Sequence, residues 1–305
     1  MPIVVPGSVA NLGGGFDTLA VAVQVYLRVT IVDVEDNGAG RLTVRSSQPP
    51  VSGPNALERA YSHIAGKVGR RAPSVVVDVE SDIPMAAGLG SSAAASVAGL
   101  RVFEQVTAPL PESTLLNAAT ALEGHADNAA AAICGGLTSV VETPGEEPMA
   151  LRWVWPEDLQ LVVATPDVGL ATSKARAALP DVLPRADAVF NLQRVLSFVH
   201  ALQVGDYVRL REAVRDRWHQ PARMALVPQL ADAMAIDDAD VLGAFLSGAG
   251  PSVALLARGH GARVEQLLKS VYARAGCPAV VRTLSVHQSV GAASDTPAPA
   301  YGRTV

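Results

Sequence analysis

The chain of 305 residues is 49% hydrophobic and 17% charged, with a formal net charge of −5. That apolar content exceeds what one domain of usual size needs for its core, so two domains are expected. The negative balance, with no basic cluster to displace counterions from a phosphate backbone, argues against nucleic acid, and no run reaches the roughly 18 apolar residues of a membrane span.

Residues 25–34, VYLRVTIVDV, and 41–47, RLTVRSS, alternate as half-buried strands do, and the intervening EDNGAG has turn composition, which predicts a hairpin. Over 54–69, Leu57, Ala60, Tyr61 and Ile64 recur at three- and four-residue spacing and predict an amphipathic helix, followed by a strand over 74–84 that ends at Pro84. The stretch 84–95, PMAAGLGSSAAA, leads into a helix over 91–106 whose two opening serines suit a cap and whose small residues permit close packing. A helix over 111–126, a further helix and then a strand broken by Gly135 and Gly136 come next. Residues 143–158 mix turn formers and charge and read as the crossing between two domains, 1–155 and 156–287. The second contains a strand at 159–166, helices across 185–236, two apolar strands around LSGAGPS, a helix over 262–276 and a last strand at 279–286. The small, polar tail over 288–305 reads as a flexible end. Cys134 and Cys277 match no metal or disulfide spacing, and MPIVVPGSVANLGGG lacks a basic start before a long apolar run, so a reduced cytoplasmic protein is expected.

PMAAGLGSSAAA poses a chemical question. A helix start leaves backbone N–H groups unpaired and carries about half a positive charge, which attracts anions, phosphate above all. Gly88 and Gly90 let the main chain approach ligand oxygens, and Ser91 and Ser92 offer hydroxyls to phosphate or Mg²⁺. No Gly-Lys-Ser/Thr follows, so this is not a P-loop. Alone, the stretch also fits a turn that merely lets a small-residue helix pack closely.

Two further segments, PGSVANLGGGFD at 6–17 and LSGAGPSV at 246–253, are each weak signals, because glycine turns are common between strands. In this order and at these separations the trio resembles the GHMP kinase superfamily, along nearly the whole chain but the tail. Within it the details are similar to homoserine kinases: GPNAL at 53–57, EGHADN at 123–128, TSKARAALP at 172–180 and DRWHQPAR at 216–223. The resemblance implies a two-domain α+β fold, an N-terminal ATP-binding α/β domain and a C-terminal ferredoxin-like α+β domain. It also implies ATP and Mg²⁺ between the domains, phosphorylation of the side-chain hydroxyl of L-homoserine in threonine biosynthesis, and a homodimer.

On the same resemblance, Pro84, Ala86, Ala87, Gly88, Leu89, Gly90, Ser91 and Ser92 hold the nucleotide and Asn55 reads the adenine. Ser92 and Glu123 are the Mg²⁺ ligands, which suits a hard cation that keeps one or two carboxylates while bridging phosphates. Homoserine is a zwitterion, whose carboxylate calls for guanidinium forks and whose ammonium calls for acceptors. Arg176 and Arg223 match the carboxylate-holding positions; Asn11, Asp17 and Asn128 match the other polar contacts, with Asp17 the ammonium partner. Thr172 reaches the γ-phosphate, completing a catalytic set of Glu123, Asn128, Thr172 and Arg176. Asn128 stands where mevalonate-type relatives carry an aspartate base; an amide cannot accept the proton, which then passes to the γ-phosphate itself. His125 is read as a packing or supporting residue, and Gly14 replaces a proline common in the family. Two other readings stay open: a kinase of this superfamily for another small carboxylated alcohol, and a nucleotide-binding relative without catalysis.

Overall fold

A seventeen-residue strand, LAVAVQVYLRVTIVDVE, organises the first half of the chain. The computed structural model describes residues 1–50, 55–69 and 71–288, so Gly53, Pro54 and the tail from 289 lie outside the described residues. In this half β1 (Ile3–Ala10), β2 (Leu19–Glu35), β3 (Leu42–Gln48), β4 (Ser74–Ser81), β5 (Leu137–Val141) and β6 (Met149–Trp153) form one sheet. Residues 20–29 of β2 pair with β1 along one edge; along the other, β4 takes the C-terminal part and β5 the first residues. The doubly flanked part of β2 is almost wholly buried, whereas its end alternates towards solvent, as expected where only one face is covered.

The predicted hairpin over 25–47 does not form. β4 lies between β2 and β3, antiparallel to the first and parallel to the second. Parallel neighbours need a crossover, and α1 (Ala56–Val68) supplies it, because its buried Leu57, Ala60, Tyr61 and Ile64 must be carried back over the sheet. Turn composition at EDNGAG marks a chain reversal but not which strand becomes the neighbour. A second departure is β6, which lies inside the segment read as a crossing and extends the sheet by pairing with β5.

α2 (Ser91–Val106), α3 (Glu112–Glu123) and α4 (Asp127–Cys134) complete this half. Small residues (Ala, Ser, Gly) make up most of the buried faces of α2 and α4, allowing close approach to β1 and β2. At Gly99 an added Cβ would lie 2.2 Å from the Leu57 carbonyl oxygen and 3.0 Å from Ala60 Cβ, so the seam between α1 and α2 has no room for a side chain.

The second sheet is antiparallel, in the order β10 (Ala279–Leu284), β7 (Leu159–Pro166), β9 (Val253–Arg258), β8 (Val241–Leu246). This is the ferredoxin-like arrangement. α10 (Gly261–Arg274) covers one face with Val264, Leu268, Val271 and Tyr272. Between β7 and β8 run α5 (Thr172–Ala177), α6 (Arg185–Val204), α7 (Leu210–Ala213), α8 (His219–Arg223) and α9 (Leu230–Met234). The main core joins both sheets, with Val5, Val9 and Leu27 of the first meeting Leu161, Phe198 and Leu256 of the second half. The chain after β10 is sewn into the first sheet: Gln24 N–H donates to Ser285 O (2.9 Å), His287 N–H to Ala22 O (2.9 Å) and Gly136 N–H to His287 O (2.8 Å).

Gly99→Val is expected to cost about 1–3 kcal/mol by forcing α1 off α2. Calorimetry should show the thermal midpoint falling by several degrees; an unchanged midpoint would mean the helices separate freely.

Candidate active site

Three positions between β4 and α2 adopt left-handed backbone: Ala86 at φ 51°, Gly88 at 76° and Gly90 at 70°. A Cβ on Gly88 would sit 2.3 Å from Ser247 O, and one on Gly90 2.2 Å from Ser8 Oγ. Both glycines are therefore required by the protein's own packing. The loop is pinned from behind: Ser247 Oγ donates to Gly88 O (2.6 Å), Ser252 N–H to Ala87 O (3.2 Å) and Ser8 N–H to Leu89 O (3.1 Å).

The expected serine cap on α2 is absent. Gly90 holds the capping position in a left-handed conformation and no side chain bonds the first turn. Ser91, Ser92 and Ala93 instead line a cleft of about 130 Å³. An uncapped helix start opening into a cleft presents orphan N–H donors and a partial positive charge to an anion.

Ser92 turns its hydroxyl to Glu123 (3.0 Å), and so does Ser96 (2.6 Å). Sequence reading passed over Ser96, although its i+4 spacing from Ser92 puts both hydroxyls on one face of α2. Asn55 caps α1, its Oδ1 accepting from Glu58 N–H at 2.9 Å, and borders an apolar cavity of about 340 Å³ lined also by Leu27, Val44, Val79 and Met85. That cavity meets the cleft at Ala86, Ser91 and Ser92, so an apolar pocket and an anion site adjoin across the start of α2. Pro84 and Leu89 depart from the expected arrangement: their side chains border a different cavity, on the side of the loop facing β7 and β10. The loop alternates its faces, so not every residue of the motif can face one ligand.

The remaining predicted residues converge at the other end of the cleft. Asn11 and Asp17 both have left-handed backbone, and Asn11 holds this turn by accepting from Asp17 N–H (3.1 Å) and donating to Gly248 O (2.9 Å). Both ends of the Asn11 amide are thus engaged within the protein. Arg176 grips Asp17 with two bonds of 2.9 and 2.8 Å, in a pair about one third exposed. Thr172 lies in the first turn of α5, one turn before Arg176. Asn128 accepts from Ser8 Oγ (2.8 Å) and donates to Asp127 (3.2 Å), so its carbonyl end faces β1. His125 lines the cleft and bonds Asp127 at 2.9 Å. That bond holds its pKa above the ordinary imidazole value.

Arg223 is 1% exposed. Its Nε donates to Ala175 O and its Nη1 to Gly248 O, each at 3.1 Å, yet among the described residues no carboxylate forms an ion pair with it. Burial, and then the neighbouring Arg176, press its pKa down to about 10. It remains charged at neutral pH and borders the cleft, with Asp17 and Asp216 near enough to act on it but neither in a direct ion pair. Phe16, which sequence reading left unassigned, lies beside both arginines, their guanidinium carbons 5.5 and 5.2 Å from its ring centre.

Comparison with known proteins identifies the family. Residues 55–136 match the family model for the GHMP kinase N-terminal domain and residues 198–274 that for the GHMP kinase C-terminal domain. The homoserine kinase of Moorella thermoacetica is 36% identical over 293 residues, covering 93% of this chain and 97% of that protein. That of Gloeobacter violaceus is 38% identical over 265 residues, covering 84% and 87%. The crystal structure of a homoserine kinase from Cytophaga hutchinsonii superposes with a TM-score of 0.83 at 25% identity, covering 94% and 95% of the two chains. With both domain models matched and full-length relatives well above 30% identity, the chain belongs to the homoserine kinase family of the GHMP kinases.

Proposed function

We infer that the chain catalyses ATP-dependent phosphorylation of the side-chain hydroxyl of L-homoserine, giving O-phospho-L-homoserine and ADP, the step its relatives' name places on the way to threonine. Arg223 carries this reading on physical grounds. A buried cation with no directly paired carboxylate, in a cleft entered by an uncapped helix start, supports an acceptor with a carboxylate beside a bound phosphate.

The site roles extend the same reading. The apolar cavity at Asn55 takes the adenine, and residues 86–92 run the phosphates along the start of α2. The homoserine carboxylate goes to Arg223 and Arg176, and its ammonium to Asp17. The Arg176–Asp17 pair then acts as a stand-in for the zwitterion: the ligand exchanges one internal ion pair for two external ones, whereas an acid or an amine alone would strand one partner. Asn128 and Thr172 align the hydroxyl and the γ-phosphate. The acceptor oxygen forms the new P–O bond as the bond between the γ-phosphorus and the bridging β-oxygen breaks; the hydroxyl proton passes to a γ-phosphate oxygen, since the amide of Asn128 cannot take it.

Mg²⁺ completes this proposal. Ser92 and Glu123 present hard oxygen donors within 3.0 Å of each other, and Ser96 steadies the carboxylate. That donor set fits Mg²⁺, which would neutralise charge between the β- and γ-phosphates. The division into units of 1–155 and 156–287 belongs to the same reading and is supported by the switch of sheets between Trp153 and Leu159. We further propose a cytoplasmic homodimer that binds neither nucleic acid nor membrane. The net charge of −5, the absence among the described residues of any helix long and apolar enough to cross a membrane, and the exposed Val189, Leu192 and Leu196 along α6 support it.

The direct test is ADP release from Mg-ATP with L-homoserine, mevalonate, shikimate, L-serine or no acceptor. Turnover with L-homoserine alone is expected; preference for another acceptor would overturn the carboxylate and ammonium assignments. Arg223→Ala should lower kcat/KM for L-homoserine by about 2–4 kcal/mol, roughly 30- to 900-fold, with the ATP KM little changed. Wild-type kinetics would remove Arg223 from the site. Glu123→Gln should lower turnover and shift the Mg²⁺ titration to higher concentration, and an unmoved titration would point to another ligand.

A further inference from the structure

Arg223 needs something to hold it besides two carbonyls, because a long side chain with one free face can swing. The third contact is His219, fully buried on the preceding turn of α8, whose Nδ1 lies 3.4 Å from Arg223 Nη1. On its other side His219 Nε2 lies 2.8 Å from Gly13 O, in the glycine triplet of the loop that ends at Asp17. A carbonyl can only accept, so Nε2 carries the proton. Nδ1 of the neutral ring is then the acceptor for Arg223. Burial favours that neutral form and holds the ring's pKa below its ordinary value.

The surroundings fix the ring. Asp216, just ahead of α8, accepts from Trp218 N–H (2.9 Å), Gln220 N–H (2.7 Å) and Asn191 Nδ2 (2.6 Å), and one of its oxygens comes within 3.5 Å of His219 Nε2. Phe16 stacks on the imidazole at 5.3 Å with its plane tilted by 28°, and meets Trp218 at 4.8 Å. Gly13 itself cannot shift towards α7, where an added Cβ would lie 2.1 Å from Val214 O.

We propose that His219 is a positioning residue for substrate recognition: one neutral imidazole, bonded to Gly13 O and to Arg223, sets the carboxylate-reading guanidinium and the ammonium-reading loop in a single register. The proposal rests on the homoserine kinase reading above. It makes a distinction that packing alone would not. Loss of His219 should damage discrimination for the carboxylate more than turnover as such, because the guanidinium loses its orientation while the phosphate loop, some distance along the cleft, keeps its own supports.

The test compares L-homoserine with L-homoserine methyl ester, which lacks the carboxylate charge. The wild-type enzyme should prefer the acid. In His219→Leu that preference should shrink by about tenfold, through KM for the acid, with the KM for ATP within about twofold of wild type. His219→Gln, which can again donate to Gly13 O, should recover part of it. Equal losses for acid and ester, or an unchanged preference, would overturn the proposal. Failure of the wild type to phosphorylate L-homoserine would instead overturn the kinase reading on which it rests. Should the leucine variant not fold, ¹⁵N shifts of the wild-type ring decide: a protonated Nε2 with a bare Nδ1 is expected, and the opposite tautomer or a cationic ring at neutral pH would sink the idea.

Discussion

The carbonyl oxygen of Gly248 accepts hydrogen bonds from both Asn11 and Arg223, and the rest of the cleft is arranged around that junction. It joins the turn after β1 to the turn between β8 and β9 and to α8, bringing the start of the chain against segments more than two hundred residues on. Such an approach requires backbone without side chains in the way, which is why glycine recurs at each contributing turn. Gly88 lies against Ser247 and Gly250, Gly90 against Ser8, and Gly13 against Val214. The glycines shape the protein's own interior first, and the anion-accepting start of α2 is the outcome of that packing.

Charge placement follows from the same geometry. Arg223 is taken out of water by the junction, which supplies two carbonyl acceptors but no carboxylate. Arg176, less buried, is held by Asp17. One guanidinium is therefore open to a ligand anion and the other can be released to it. A site built this way favours a molecule that brings both signs of charge.

Much of the molecule was legible in its sequence where local pattern decides the outcome. The helix over 91–106, the strand at 159–166 and the apolar face of α1 match the structure because periodicity and caps are short-range properties. The hairpin over 25–47 failed because strand neighbours are chosen by a crossover helix thirty residues on. The serine cap failed because Gly90, in a left-handed conformation, takes the capping position and leaves both serines inside the first turn, where Ser92 donates to Glu123. Of the site, charged residues and glycines could be named from motifs. Ser8, Phe16 and His219 lie inside the quoted motifs and Ser96 just beyond one, but their contribution is to orient others across long sequence separations, which a motif does not spell out.

The stitching of residues 285–287 into the first sheet limits how the enzyme can breathe. Two halves joined only by a linker could gape apart to exchange nucleotides. Here a shared apolar core and a bridge between Val23 and Val286 close that route, since opening it would expose the centre of the molecule. The cleft is therefore bordered by short connections, at 86–88 and 248–250, set on a body whose two sheets share one core.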